Sequence, residues 1–127
     1  MLAVSDGLAA IEFYKKAFGA EELWRIDAGG SVVAGMSIDG AEFFLASENP
    51  PNTSSPDTAG TTTVRVELFV DDPEAVYDRA VAAGALAGER PIKRTHPTVD
   101  GSSFSMIQGG VGDPFGHIWL IGKFLDE

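Results

Sequence analysis

The residues best suited to chemistry are two charged side chains within the strand-like segment 64–70. Apolar residues fill every second position there, so Arg65 and Glu67 are predicted to share the opposite face of a strand. An arginine can bind a carboxylate or phosphate through two parallel hydrogen bonds. Glu67, or Glu42 from an earlier apolar segment, could serve as a general base. The alternative is that Arg65 pairs with Glu67 or Glu42 and only neutralises their charge.

The histidine and cysteine content argues against nucleophilic catalysis. The chain has no cysteine, so a thiolate nucleophile and thiolate metal ligands are both excluded. His117 directly follows the turn-like residues 113–116 and is predicted to be a turn or packing residue. His96 precedes Pro97 in a polar stretch and is predicted to be a solvated loop residue. No convincing order of serine, histidine and aspartate is present.

The overall charge restricts the partners. The 127 residues carry a formal net charge of −10, so nucleic acid and anionic membranes are predicted to be repelled, and a neutral or cationic ligand is favoured. No segment approaches the roughly 20 apolar residues of a membrane span, and no signal peptide is visible. Together with the absence of cysteine, these features predict a cytoplasmic protein.

An internal repeat determines how these residues would be positioned. Residues 3–20 and 69–85 each begin as a strand end, continue with an aspartate suited to capping, and then show the three- and four-residue apolar spacing of a helix. Each helix is followed by a glycine suited to a left-handed cap. The predicted capping residues are Asp6 and Gly19 in the first copy and Asp72 and Gly84 in the second.

Further strands complete each copy of the repeat. Asp39 and Gly40, between the apolar segments 32–38 and 41–46, predict a tight hairpin. A final strand is predicted at 117–122, and residues 93–103 are predicted to be irregular.

We therefore predict an α+β fold of paired β-α-β-β-β modules. The single domain, residues 1–127, comprises module one (about 1–46), a linker (47–60) rich in proline, serine and threonine, and module two (about 61–127). One such module cannot bury its sheet alone, so the two sheets are predicted to form a half-open β cup with the helices outside.

Two motifs carry a resemblance to a known family. Residues 6–20 resemble the opening of PhnB-like members of the vicinal oxygen chelate superfamily, which comprises glyoxalases, bleomycin resistance proteins and dioxygenases. Residues 113–117, with Trp119, resemble the closing motif of these proteins. The resemblance implies the paired-module fold, and often a homodimer. Relatives usually have several more residues before the segment that starts here at Met1, so the native start could lie upstream.

Metal-dependent members of that superfamily hold a divalent cation on the strands that line the cup. The resemblance and the internal repeat place the equivalent positions at Phe44, Arg65 and Leu120. None of these side chains is a cation ligand, and a guanidinium about 4 Å from a dication would cost roughly 8 kcal/mol at an effective dielectric near 20. We therefore predict no metal and no other cofactor. Glu42 and Glu67 are the nearest candidate ligands if the assignment is shifted.

Aromatic residues are the remaining signal for a ligand. By the alternation of strand faces, Phe44 and Phe69 are predicted to face the cup, while Phe43 and Trp119 face the helices. An apolar, aromatic cavity suits a planar or amphipathic small molecule, although core packing is the alternative for each ring. Trp24 is assigned no role.

These observations favour a metal-free small-molecule-binding protein that acts as a homodimer and sequesters a drug or metabolite. The predicted ligand-binding residues are Phe44, Arg65, Glu67, Phe69 and Leu120. One alternative is a lyase, isomerase or dioxygenase that uses Glu42 or Glu67 as a catalytic base, so enzyme activity is left open. The other is a structural or interaction protein whose cup is filled by its own side chains.

Overall fold

Both long helices begin at a capping aspartate in the computed structural model, which describes residues 1–126. Helix α1 (Gly7–Phe18) starts where the Asp6 carboxylate accepts a hydrogen bond from the backbone N–H of Ala9 (3.0 Å), and it ends at Gly19 in the left-handed region (φ 67°). This arrangement satisfies an N–H group that would otherwise lack a partner. The predictions for this helix are confirmed.

Helix α3 (Pro73–Ala82) is capped in the same way by Asp72, with Pro73 in its first turn. Its C-terminal end differs slightly from the prediction. Ala83 is the capping residue and keeps a right-handed conformation, and Gly84, with φ 113°, is the next residue along the chain.

The first sheet has the strand order β1-β4-β3-β2, in which β1 is parallel to β4 and the other pairs are antiparallel. Asp39 and Gly40 both have positive φ angles, as a tight hairpin turn requires, which confirms the predicted hairpin. The strands are β1 (Leu2–Val4), β2 (Glu21–Ala28), β3 (Ser31–Ile38) and β4 (Ala41–Ser47).

The second sheet repeats this plan. Its order is β5-β9-β8-β6, with β5 parallel to β9, and β7 also pairs with β8. The strands are β5 (Arg65–Phe69), β6 (Leu86–Ala87), β7 (Ile92–Pro97), β8 (Ser103–Gly112) and β9 (Ile118–Leu125). The α+β class with two open sheets is therefore confirmed.

Two segments contain more regular structure than the sequence suggested. Residues 93–103 were predicted to be irregular, which is wrong for the part that forms β7. That strand lacks apolar alternation and is held by its backbone pairing with β8 and by a hydroxyl contact between Thr95 and Ser105 (2.8 Å). The predicted linker 47–60 contains the short helix α2 (Pro56–Ala59).

No helix within residues 1–126 combines the length and apolar character needed to cross a membrane.

Both modules contribute to one core. Each long helix covers one side of its own sheet, and α1 and α3 also contact each other. Trp119 of β9 lies against Phe18 of α1 (ring centroids 4.7 Å) and Phe43 of β4 (5.8 Å), so the predicted inward orientation of Phe43 and Trp119 is confirmed. The exposed side chains of the two sheets therefore lie on the faces that point away from the helices.

A buried carboxylate joins the modules within this core. Tyr14 Oη donates a hydrogen bond to Asp113 Oδ2 (2.6 Å), and Trp119 Nε1 donates to the same oxygen (2.9 Å). The backbone N–H groups of Phe115 and His117 donate to Asp113 Oδ1, each at 2.9 Å. Four donors thus compensate the loss of hydration that burial imposes on this carboxylate.

The protonation of Tyr14 and a contact of His117 reinforce this junction. Burial, and after it the negative charge of Asp113, raises the pKa of the Tyr14 phenol far above its usual value, so the phenol remains a donor. His117 is buried, and its Nε2 lies 2.7 Å from the carbonyl oxygen of Ala3, which connects the start of β9 to β1. His117 is therefore a packing residue, as predicted, and it also connects the two sheets.

We predict that Tyr14→Phe lowers the free energy of unfolding by about 2 kcal/mol, because it removes a hydrogen bond to a charged acceptor. The matched control is Tyr77→Phe, because Tyr77 is also buried but donates to a neutral carbonyl, that of Gly88 (2.8 Å). A loss of about 1 kcal/mol is expected there. Urea unfolding at neutral pH measures both variants, and equal losses would show that the Asp113 carboxylate is not the stronger partner.

Candidate ligand-binding site

Strand β5 presents its charged residues on the face away from the helices. Arg65, Glu67 and Phe69 are exposed, while Val66 and Leu68 pack against the core, which confirms the predicted alternation. The parallel pairing with β9 sets Arg65 opposite Ile118 and Glu67 opposite Leu120. Arg65 and Leu120, both predicted ligand-binding residues, therefore share one face of the second sheet.

A cavity of about 600 Å³ lies over this face, beside Arg65 and Leu120. Its apolar floor is formed by Ile118 and Leu120 of β9, which pair with Gly112 and Gly110 of β8. A Cβ at Gly110 would lie 3.3 Å from the Leu120 side chain and one at Gly112 3.6 Å from that of Leu86, so these leucines border the cavity at the two glycines. The volume falls within the range of about 300–1,000 Å³ that is usual for small-molecule sites.

Neither Glu67 nor Glu42 neutralises Arg65, as the alternative for this residue required. Glu67 accepts a hydrogen bond from the side-chain amide of Gln108, and Arg94 forms an ion pair with Glu89. Within residues 1–126, the Arg65 side chain makes no ion pair with either Glu67 or Glu42 and no hydrogen bond to another residue. Its guanidinium is left available to a ligand.

A row of aromatic rings continues along the same face beside the cavity. Phe69 stacks on Phe124 (ring centroids 5.2 Å), and Phe124 lies 5.8 Å from Phe104. Phe104 in turn contacts His96 (5.1 Å). The prediction that His96 is a loop residue is wrong, because it lies on β7. Phe69, a predicted ligand-binding residue, lines a neighbouring depression together with Phe124.

The first sheet carries a separate aromatic surface. Phe44, also a predicted ligand-binding residue, lies on β4 with its ring 5.1 Å from that of Trp24 on β2, and both rings are partly exposed. The Trp24 ring lies close over Gly35 of β3. Phe44 is thus on a different sheet from Arg65 and Leu120. Trp24 was assigned no role from the sequence, although a glycine within an apolar strand, here Gly35, is a signal for such a close approach.

The two carboxylates considered for catalysis are near each other. Glu42 of β4 and Glu67 of β5 border one crevice of about 190 Å³ between the sheets, with Phe43 and Trp119. The crevice therefore brings together the two glutamates that the sequence analysis identified from separate modules.

The residues present do not fit a metal of the kind that the resemblance implies. Phe44 and Leu120 have no ligand atoms, and Arg65 is cationic. Within residues 1–126, no group of three or more histidine, cysteine, aspartate or glutamate side chains is placed to hold a metal ion. A catalytic metal site normally supplies three protein ligands to the ion.

The chain belongs to the Glyoxalase/Bleomycin resistance protein/Dioxygenase superfamily, whose family model matches residues 1–121. This result agrees with the duplicated β-α-β-β-β topology of the two sheets. The family includes proteins of several functions, so the site must be judged from its own residues.

Similar proteins come from bacteria and a plant. An uncharacterised protein of Mycobacterium tuberculosis (strain H37Rv) is 34% identical over 132 residues, which cover 99% of this chain and 73% of that protein. The structure of an Arabidopsis thaliana gene product is 30% identical, with a TM-score of 0.64 and coverage of 95% of this chain and 91% of that one. TioX from Micromonospora sp. ML1 shares the fold at 24% identity, with a TM-score of 0.63 and coverage of 99% and 94%.

We predict that Gly35→Ala displaces Trp24 from the first sheet, because a methyl group at position 35 would overlap the indole ring. Acrylamide quenching of tryptophan fluorescence should increase, and the change reports Trp24 because the chain's other tryptophan, Trp119, is buried. Gly112→Ala is the control, since its methyl group would make an ordinary contact with Leu86 at 3.6 Å. Unchanged quenching in Gly35→Ala would contradict the arrangement of Trp24 over Gly35.

Proposed function

We propose that this protein binds a small molecule, without a metal, in the cavity beside Arg65 and Leu120. The observation that carries the proposal is an open cavity of about 600 Å³ with an apolar floor and an arginine that has no protein partner within residues 1–126. An apolar pocket with a few polar groups that fix orientation is the usual form of a ligand site. Sequestration of a drug or metabolite is the function that this arrangement supports best.

The position of Arg65 supports binding without a metal. A guanidinium beside a divalent cation would oppose it by roughly 8 kcal/mol at about 4 Å and an effective dielectric near 20. The same guanidinium can instead supply the positive charge that orients a ligand. We therefore assign ligand binding to Arg65 and Leu120, with Glu67 and Phe69 in the neighbouring depression and Phe44 on the other sheet.

A second candidate function is catalysis by a cup carboxylate. The shared crevice of Glu42 and Glu67 supports it, because two neighbouring carboxylates can divide the roles of acid and base. Glu67 is already hydrogen bonded to Gln108, so Glu42 would be the freer base of the two. Enzymes of this kind would be lyases, isomerases or dioxygenases.

We further place the chain in the PhnB-like group, because of residues 6–20 and 113–119, and in the cytoplasm, because it lacks cysteine.

We also propose that it forms a homodimer. Aromatic rings are exposed on the outward face of each sheet, Trp24 and Phe44 on one and Phe69 and Phe124 on the other. Exposed apolar surface of this extent is typical of an interaction site.

Static light scattering tests the proposed dimer. We expect a molar mass close to twice the chain mass of 13.4 kDa, because burial of the exposed rings would favour association. A mass that stays at 13.4 kDa over the accessible concentration range would show that these faces remain uncovered.

The neutral fluorescent probe N-phenyl-1-naphthylamine tests the cavity itself. We predict that its fluorescence increases on binding and that Gly112→Leu weakens binding by roughly tenfold or more, because the new side chain would project into the cavity. Ala28→Leu is the matched control, since it adds the same side chain to an exposed position of the other sheet. An affinity that is equal in both variants and the parent protein would place the probe elsewhere.

A further inference from the structure

We infer that the ligand of this cavity is an organic anion with a flat apolar body, whose carboxylate, sulfonate or phosphate group binds Arg65. The inference rests on the proposed small-molecule site and specifies the class of its ligand. It differs from the expectation drawn from the overall charge, which favoured a neutral or cationic ligand.

The charged residues that line the cavity have a net charge opposite in sign to that of the whole chain. The formal net charge is −10, yet the charged residues that line the cavity are two arginines, Arg65 and Arg94, against one glutamate, Glu89. His96 lies at the same rim and adds a further donor or acceptor. Ionic strength near 0.15 M screens charges beyond about 8 Å, so the residues in contact with a ligand outweigh the distant acidic surface.

Arg65 is the exposed cation of the cavity whose side chain is not engaged by another residue. Arg94 is paired with Glu89, whereas within residues 1–126 the Arg65 side chain makes no hydrogen bond and has no carboxylate within 4 Å of its guanidinium. A guanidinium presents two parallel N–H groups that match the two oxygens of an acidic group. A cationic ligand would instead be repelled at the same position.

Gln108 keeps Glu67 from acting as the partner of Arg65. Glu67 lies two residues from Arg65 on the same face of β5, but its carboxylate accepts a hydrogen bond from the Gln108 amide. An intramolecular pair between Glu67 and Arg65 would compete with a bound anion. Gln108 is therefore a positioning residue that holds Glu67 apart from Arg65.

The shape of the cavity floor indicates which apolar body the ligand carries beside its acidic group. Arg65 is paired in register with Ile118, and Leu120 follows on the same face, so the site for the acidic group borders the apolar floor directly. Gly110 and Gly112 leave the neighbouring strand without side chains above its backbone. A planar ring system can lie on such a surface while its acidic group reaches Arg65.

Two probes with the same ring system test this inference. 8-Anilinonaphthalene-1-sulfonate carries a sulfonate, and N-phenyl-1-naphthylamine lacks it. We expect the parent protein to bind the sulfonate more tightly, and Arg65→Gln to weaken sulfonate binding by roughly tenfold or more, with a much smaller loss for the neutral probe. Lys16→Gln is the charge-matched control, because Lys16 is an exposed residue of α1 outside the cavity.

Two further variants make the result specific. Arg65→Lys keeps the charge but loses the paired donors, so its affinity for the sulfonate should lie between those of Arg65→Gln and the parent. Gln108→Ala frees Glu67 to approach Arg65 and should weaken sulfonate binding without removing any positive charge. Far-UV circular dichroism confirms that each variant is folded.

The possible outcomes separate this inference from the proposed function. If neither probe binds in a manner that Gly112→Leu disrupts, the cavity is not a ligand site and both proposals fail. If the neutral probe binds there but sulfonate affinity is the same in Arg65→Gln and Lys16→Gln, the proposed function stands and the assignment of an anionic ligand is overturned.

Discussion

The buried carboxylate of Asp113 determines how the two modules are held together. It receives donors from α1, from β9 and from the turn that contains it, and these lie on both sides of the boundary between the modules. A carboxylate in the core is costly unless such donors surround it, and any displacement of α1 relative to β9 would remove the Tyr14 donor. The requirement to satisfy one buried charge therefore restricts the packing of the two modules.

The candidate site depends on this restriction. β9 carries Trp119 on its inner side, where it is bonded to Asp113, and Leu120 on its outer side, where it forms part of the cavity floor. β5 pairs with β9 and places Arg65 beside that floor. Packing of β9 in the core thus fixes where Leu120 and Arg65 lie on the outward face of the second sheet. The positive charge of the lining comes from Arg65 and Arg94 against Glu89, and Glu67 accepts from Gln108 outside it.

The sequence predicted those features that arise from local chemistry. Asp6 and Asp72 cap helices through neighbouring backbone groups, and Asp39 with Gly40 fixes a hairpin within a few residues. The alternation in residues 64–70 gave the correct face for Arg65. Features that depend on distant partners were not predictable in this way. The role of Asp113 requires Tyr14, which lies 99 residues away in the chain.

Other omissions have the same physical origin. β7 is polar apart from Ile92 and Pro97 at its ends, and β8 supplies its backbone partners, so no apolar alternation marks it. Trp24 became part of a surface only when Gly35 and Phe44 were brought beneath and beside it. Whether Arg65 was paired or free could not be derived from spacing alone, because the answer depends on the side chain of Gln108 on another strand.

The central claim is that the positive charge in the cavity beside Arg65 and Leu120 is a guanidinium rather than a metal ion. Elemental analysis of the purified protein tests it most directly, before and after incubation with manganese, iron, nickel and zinc ions followed by gel filtration. The account predicts no stoichiometric metal under either condition, because Arg65 opposes a dication and Phe44 and Leu120 offer it no ligand. A stoichiometric metal that is lost in Glu67→Gln would contradict the account and would favour catalysis by Glu42 and Glu67.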